Sequence, residues 1–230
     1  MSYANIWDQY WGDITAQTGA ALWDVAPDNA AARDLEAVRE HLPDDRVMID
    51  LGCGNGTQTV YFGQHYSRVL GVDISEVVID AVRSRPHPPG VSYREFDLLD
   101  EDACTSLRAE LGDAHVYVRG VIHQLDRKDW AQAVSGIRTL IGATGTALIV
   151  ELGAAAHGLM ARIHEPPPKL AEVLAHGIVP AALGPGAIKD LFGGFEVLAH
   201  GDTAIHTTQP LPDGSQLTIP AEYWALRTRT

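Results

Sequence analysis

Short apolar runs at 46–51, 69–73, 91–96, 115–120 and 146–151 alternate along the chain with segments whose apolar residues recur every three or four positions. The short runs have the length of buried strands, and the intervening periodicity is that of amphipathic helices. Ala31, Leu35, Val38 and Leu42 predict a helix over 30–41, introduced by the turn residues Pro27-Asp28-Asn29 and ended by Pro43-Asp44-Asp45. A helix is expected over 57–64, and another over 76–84, capped by Ser75 and stopped before Pro86. Asp100 caps a helix with Ala103, Leu107 and Leu111 on one face, and a capped helix from Arg127 turns Trp130, Val134, Ile137 and Ile141 inward. Such alternation predicts a parallel sheet with helices on both faces and right-handed crossovers.

The two ends of the chain depart from this rhythm. Tyr3, Trp7 and Tyr10 follow helical spacing and Trp7 and Trp11 lie four residues apart, so a short N-terminal helix carries an aromatic stripe. That stripe either packs the helix onto the domain or forms a lid over a substrate pocket. From 152 to 194 small residues and prolines interrupt the pattern, which reads as an insertion beside the C-terminal strand edge with short helices near 171–175 and 187–192. Apolar stretches at 195–199, 203–208 and 217–227 then close the chain as two strands joined through the turn residues 210–214.

Composition narrows the possible partners. The chain has 230 residues, 46% of them hydrophobic, enough for a single α/β domain with additions. A formal charge of −13 without a basic cluster argues against nucleic acid as the partner. The two cysteines, Cys53 and Cys104, have no metal-ligand spacing and make a disulfide framework improbable, which fits a reducing, cytoplasmic setting. His157, His164 and His176 are separated by 7 and 12 residues, which suits no metal site. No apolar run approaches membrane-spanning length, and no leader pattern opens the chain, so a soluble protein without membrane contact is expected.

The densest chemical signal is Asp50-Leu51-Gly52-Cys53-Gly54-Asn55-Gly56-Thr57, an acidic strand end running into glycines at alternate positions. Such a turn brings backbone close to a ligand, at the carboxyl end of a strand where open α/β sheets bind. No Gly-Lys-Ser/Thr ending follows Gly56, which excludes a phosphate loop. A dinucleotide fingerprint wants its third glycine where Thr57 stands.

With this turn and three later strand ends, the chain resembles the class I S-adenosylmethionine-dependent methyltransferases. Asp50 to Gly56 matches their acidic DxGxGxG motif; Asp73, in Leu70-Gly71-Val72-Asp73-Ile74, matches the acid that binds both ribose hydroxyls; Asp97, in Phe96-Asp97-Leu98, matches the acid facing the adenine. Gly120-Val121-Ile122-His123-Gln124-Leu125 is similar to the family's segment beside the methyl donor. The resemblance implies a Rossmann-like, doubly wound sheet of seven strands, mostly parallel with one antiparallel strand in a C-terminal hairpin. It implies S-adenosylmethionine (SAM) as cofactor, held by Asp50, Gly52, Cys53, Gly54, Asn55, Gly56, Thr57, Asp73, Ile74, Phe96, Asp97, Leu98 and Arg119. Residues 1–230 then form one domain, with an N-terminal helical lid over 1–28 and an acceptor-side insertion over 152–194.

Methyl transfer from a sulfonium needs an acceptor lone pair in line at roughly 3 to 3.5 Å, helped by a general base where the acceptor carries a proton. His123 is the first candidate for that base, or else serves, as the resemblance implies, only to shape the cofactor pocket. Arg119, where a small or Asn-like residue is usual, either pairs with an acceptor carboxylate or with Asp50, or is a salt-bridged framework residue. Tyr3, Trp7, Trp11, His123, Glu151, His157 and Met160 are the expected acceptor contacts. The Asn-Pro-Pro-Tyr type segment of adenine and amide methylating enzymes is absent after the fourth strand, so a small-molecule acceptor is expected, methylated on O or N by a monomer or homodimer. A cyclase or decarboxylase on the same scaffold, or a non-catalytic SAM-binding subunit, remains the alternative reading.

Overall fold

The computed structural model describes residues 2–14, 18–160, 163–181 and 186–229, with the side chains of His157 and Met160 outside the described set. Seven strands, β1 (Met48–Leu51), β2 (Val69–Asp73), β3 (Val91–Glu95), β4 (His115–Arg119), β5 (Ala147–Leu152), β6 (Phe195–Pro210) and β7 (Gln216–Thr228), form one sheet in the order β3-β2-β1-β4-β5-β7-β6. β1 to β5 pair in parallel, and β7 runs antiparallel to both β5 and β6. The expected seven-stranded Rossmann-like arrangement, with one antiparallel strand in a C-terminal hairpin, is therefore present.

Every residue of β1, β2 and β5 is buried. Successive side chains point to opposite faces, so full burial means that both faces of the central sheet are covered. The covering helices are α1 (Tyr3–Ile14), α2 (Ala31–Glu36), α3 (Thr57–Phe62), α4 (Glu76–Arg83), α5 (Glu101–Leu111), α6 (Trp130–Ile141), α7 (Ala154–Met160), α8 (Pro168–Ala175) and α9 (Ala187–Leu191). Ser75 caps α4 by accepting from Val78 N at 3.3 Å, and Asp100 caps α5 by accepting from Ala103 N at 3.0 Å. Trp130, Val134, Ile137 and Ile141 are all buried along α6. No helix among the described residues is long and apolar enough to cross a membrane.

Local departures have local causes. The helix expected over 30–41 splits into α2 and a 3-10 turn at Arg39–His41, because Val38 leaves helical backbone values (φ −138°, ψ 14°). Leu35, Val38 and Leu42 stay buried as the pattern demands. The helix expected to reach residue 64 ends at Phe62, where Gly63 N closes back on Thr59 O. The helix from Arg127 starts with a 3-10 turn, and neither it nor α6 has a side-chain cap. The stretches 195–199 and 203–208 join in the one strand β6, and 217–227 falls in β7, the two closing strands expected. Gly201, between the two stretches, lies opposite Tyr223, and a Cβ there would sit 2.8 Å from that ring. A bulge between Val197 and Ala199 absorbs the irregularity within the pairing.

Candidate functional site

The chain leaves β1 toward β2 on one side, while β4 flanks β1 on the other. This reversal opens a crevice beyond the carboxyl ends of β1 and β4, the usual ligand position in such sheets. A cleft of about 1290 Å³, its open mouth included, occupies that place.

Its floor is the glycine turn. Gly52 N and Cys53 N donate to Val72 O at 2.8 and 2.9 Å, folding the turn over the end of β2. Gly52 has φ +75°, and a Cβ there would stand 2.5 Å from Val121 Cγ2, so only glycine fits between the turn and the loop after β4. Gly54 (φ +50°) faces Trp11, whose ring a Cβ would meet at 3.0 Å. The cleft is thereby floored by backbone at Gly52 and Gly54 and walled by an indole.

Asp73 lies at the end of β2 and lines the cleft. One carboxylate oxygen accepts from Gly54 N and the other from Ser75 N, both at 3.0 Å. Burial pushes its pKa up to about 6, against the opposing pull of backbone N–H groups of Ser75, Gly54 and Ile74. Ile74, Phe96 and Leu98 give the adjoining apolar walls, and Asp97 lies exposed at the rim with its Oδ1 accepting from Leu99 N at 2.8 Å.

Opposite this acidic side, the 3-10 turn Ile122–Gln124 after β4 carries His123. Glu151, fully buried in β5, accepts from Ile122 N at 2.6 Å with one oxygen and lies 2.5 Å from His123 Nδ1 with the other. The ionised carboxylate holds the proton on Nδ1 and leaves Nε2 with a lone pair. Gln124 Nε2 lies 2.8 Å from that nitrogen. The backbone of the turn is held in turn by Ala181 N, which donates to His123 O at 2.6 Å.

Tyr3, Trp7 and Trp11 line the cleft from α1. The aromatic stripe also packs α1 onto its neighbours: Tyr10 is 1% exposed and stacks on Trp23, with ring centroids 5.4 Å apart. The stripe thus packs the helix with one face and borders the cleft with another. Asp8 anchors α1 to the start of α4 by accepting from Ser75 Oγ at 2.7 Å, and Tyr3 donates to Asp129 Oδ2 at 2.8 Å.

Several expected site residues lie elsewhere. Asp50 is buried behind the turn, accepts from Thr59 Oγ1 at 2.6 Å and does not reach the cleft. Burial, reinforced by the nearby Asp73 charge, pushes its pKa up to about 7, with the Thr59 hydroxyl opposing. Cys53 is buried under the turn, and burial raises its thiol. Asn55 donates to Asp24, and Thr57 donates to the Asn55 side chain at 3.3 Å. Gly56, Asn55 and Thr57 line a separate shallow depression beside Arg85 and His87.

Arg119 borders the cleft but does not pair with Asp50. Its Nε lies 3.3 Å from Asp34 Oδ2, and Asp34 also accepts from Tyr117 Oη at 2.7 Å. Asp50, on the same face of the sheet, is tied to Thr59 of α3, so in the structure Arg119 is a salt-bridged residue paired with Asp34. Glu151 stands behind His123 instead of lining the cleft. His157 and Met160 belong to α7, and their side chains lie outside the described residues. His164 is exposed. Sequence reasoning missed Leu22, Trp23, Leu170, Val173, Ile205 and Ile219, which wall the far half of the cleft. The alternation in β6 and β7 marked the last two as inward-facing; nothing in the sequence said that the hairpin runs past β5 and over the sheet's end.

A family model described as a methyltransferase domain matches residues 48–145. The crystal structure of a SAM-dependent methyltransferase from Anabaena variabilis is similar along the whole chain, with a TM-score of 0.91 at 28% identity, covering 100% of this chain and 96% of that one. Residues 48–145 therefore match a methyltransferase domain, and the whole chain has the fold of a SAM-dependent methyltransferase. Among curated relatives it is 33% identical over 113 residues to the juvenile hormone acid O-methyltransferase of Bombyx mori, a match covering 47% of this chain and 38% of that protein. It is 34% identical over 83 residues to the N-demethylindolmycin N-methyltransferase of Streptomyces griseus, covering 36% of this chain and 35% of that protein. These matches span little more than a third of each curated relative. SAM is the cofactor of this methyltransferase family, and the cleft has features that fit it. Two glycines admit backbone contact, and the indole Nε1 of Trp11 is a buried donor with no partner among the described residues.

Proposed function

We propose that this protein transfers a methyl group from SAM to an O or N atom of a small-molecule acceptor. The observation that carries the reading is Asp73: a buried carboxylate at the end of β2, held by the glycine turn, facing a cleft at the switch point of the sheet. An ionised carboxylate there accepts from two vicinal hydroxyls, which suits a ribose, and each such charge-assisted bond is worth roughly 1.5 to 3 kcal/mol. Asp97 at the rim of the next strand would accept from the adenine amino group. Gly52 and Gly54 would let the methionine part approach the backbone, and the unpartnered Trp11 N–H would donate to its carboxylate. SAM, when bound, supplies a methyl group already activated by its sulfonium.

The acceptor would occupy the half of the cleft between His123, the α1 aromatics and the β6–β7 hairpin. His123 would take the acceptor's proton at Nε2, with Glu151 holding the ring. In this reading α1 and the following segment to residue 28 act as the lid, and 152–194 supplies acceptor contacts through Leu170 and Val173. Titration calorimetry with SAM and with S-adenosylhomocysteine tests the cofactor, and label transfer from methyl-labelled SAM into a metabolite extract tests the reaction. Micromolar cofactor binding with label in a small-molecule product supports the proposal. Absence of cofactor binding by folded protein overturns it, and turnover of SAM without S-adenosylhomocysteine replaces methyl transfer with another reaction.

A further inference from the structure

We infer that the acceptor is a mainly apolar molecule that presents one neutral hydroxyl, an alcohol or a phenol, to the gap between His123 and Gln124. The inference rests on the methyl-transfer reading and narrows it to oxygen.

The gap between these side chains has mixed hydrogen-bonding character. Glu151, fixed by Ile122 N, keeps the proton of His123 on Nδ1, so Nε2 is an acceptor. The group 2.8 Å away, Gln124 Nε2, is a donor. The same amide's Oε1 is buried and has no partner among the described residues, so the amide is held from one end only. An unpaired buried acceptor is unfavourable, and turning an amide held by that one bond would free His123 Nε2 for a ligand.

A hydroxyl is the functional group that matches the pair. It donates to His123 Nε2 and accepts from Gln124 Nε2, replacing one bond with two. A carboxylate only accepts and would face the Nε2 lone pair. An ammonium only donates and would meet the amide N–H. The walls beyond this pair set the rest of the molecule: Trp23, Leu170, Val173, Ile205 and Ile219 are apolar, and the hydroxyl of Thr207 is already given to Leu217 O at 2.7 Å. An apolar body with a single polar point is what such a chamber accommodates, because each further polar group would lose its water without gaining a partner.

The reaction balances on these groups. The acceptor oxygen forms the new C–O bond as the methyl–sulfur bond breaks, with that bond's electron pair staying on sulfur. The hydroxyl proton goes to His123 Nε2, and the resulting imidazolium faces the Glu151 carboxylate. Products are the methyl ether and S-adenosylhomocysteine, and the proton leaves His123 to solvent when the site opens.

The test uses the protein saturated with S-adenosylhomocysteine and four probes on one bicyclic frame: 5-indanol, indane, indane-5-carboxylate and 5-(aminomethyl)indane, which is an ammonium at neutral pH. Binding is read by quenching of tryptophan fluorescence, since Trp7, Trp11 and Trp23 line the cleft. The expected result is that 5-indanol binds at least about tenfold tighter than each of the others, and that with methyl-labelled SAM it yields the labelled methyl ether. Gln124→Leu should bring 5-indanol and indane to within about threefold while SAM binds as before, which shows that the variant is folded. Gln124→Glu should make the preference for 5-indanol depend on pH. Equal or tighter binding of the carboxylate or the amine, a preference that survives Gln124→Leu, or binding by none of the four overturns the inference. Loss of SAM binding by the unaltered protein is the separate result that overturns the underlying methyl-transfer reading.

Discussion

Glu151 Oε2 lies 2.5 Å from His123 Nδ1, while Oε1 of the same carboxylate accepts from Ile122 N at 2.6 Å. One buried acid therefore positions both the backbone and the ring of the turn that follows β4. In Glu151→Gln the backbone N–H still needs an oxygen, so the new amide NH₂ faces Nδ1 and drives the ring proton to Nε2. The lone pair then leaves the cleft. We expect kcat to fall by about a hundredfold, with the SAM dissociation constant unchanged by calorimetry. An unchanged kcat would remove His123 and Glu151 from the proton path.

The Asp73 carboxyl, raised to about 6 by burial, makes cofactor binding pH-dependent. Ribose hydroxyls bind the ionised form, and below about pH 6 the free protein holds Asp73 protonated. SAM affinity should be flat above pH 7 and weaken on acidification through 6, by at most about tenfold per pH unit. Asp73→Asn should flatten this profile and weaken binding about tenfold at pH 7.5. Calorimetry at pH 5, 6, 7 and 8 reads both effects, and a wild-type profile as flat as that of Asp73→Asn would sink the assignment.

Asp50 predicts an effect on stability. Its pKa rises from an ordinary 3.8 to about 7 in the folded cofactor-free protein. The folded state therefore binds the proton more tightly than the unfolded state. The associated stabilisation is complete below pH 3.8 and is lost as pH rises through 7, on the order of 4 kcal/mol in all. Asp50→Asn keeps an oxygen for Thr59 Oγ1 and removes the buried charge. Its melting temperature should exceed that of the wild type at pH 8, and the difference should shrink toward pH 5. A variant less stable at pH 8 would instead give the ionised Asp50 a binding role in the turn.

The Arg119–Asp34 pair, with side chains 8% and 2% exposed, is structural. Removing one member of a buried pair typically costs about 3 to 5 kcal/mol. Arg119→Met should lower the melting temperature by about 10 °C and leave SAM affinity within about threefold. The opposite pattern, an unchanged melting temperature with SAM binding lost, would move Arg119 into the cofactor site.

Much of this architecture is local information. The five alternating apolar runs and the Ser75 and Asp100 caps act within a few residues, so their positions follow from periodicity and capping chemistry. The sequence-derived strand boundaries for β1 to β5 lie within two residues of those observed. Asp73, Asp97 and His123 were legible as site residues because strand ends in a parallel sheet converge on one edge once the strand order is known.

The acceptor side is different. Trp23, Leu170, Ile205 and Ile219 come from four separate segments and meet only because β6 and β7 extend beyond β5 and α8 packs across them. Arg119 and Asp50 share a face of the sheet, and Arg119 meets Asp34 because α2 brings that acid beside it while Thr59 of α3 engages Asp50, a choice that spacing along the chain cannot rank. By itself the sequence determined the sheet, its glycine turn and the acids at its strand ends, since these depend on hydrophobic period and on backbone conformations that only glycine tolerates. Tertiary structure alone decided which polar groups have partners. Glu151 behind His123 and the apolar chamber beyond it are contacts between distant segments, and burial sets their chemistry.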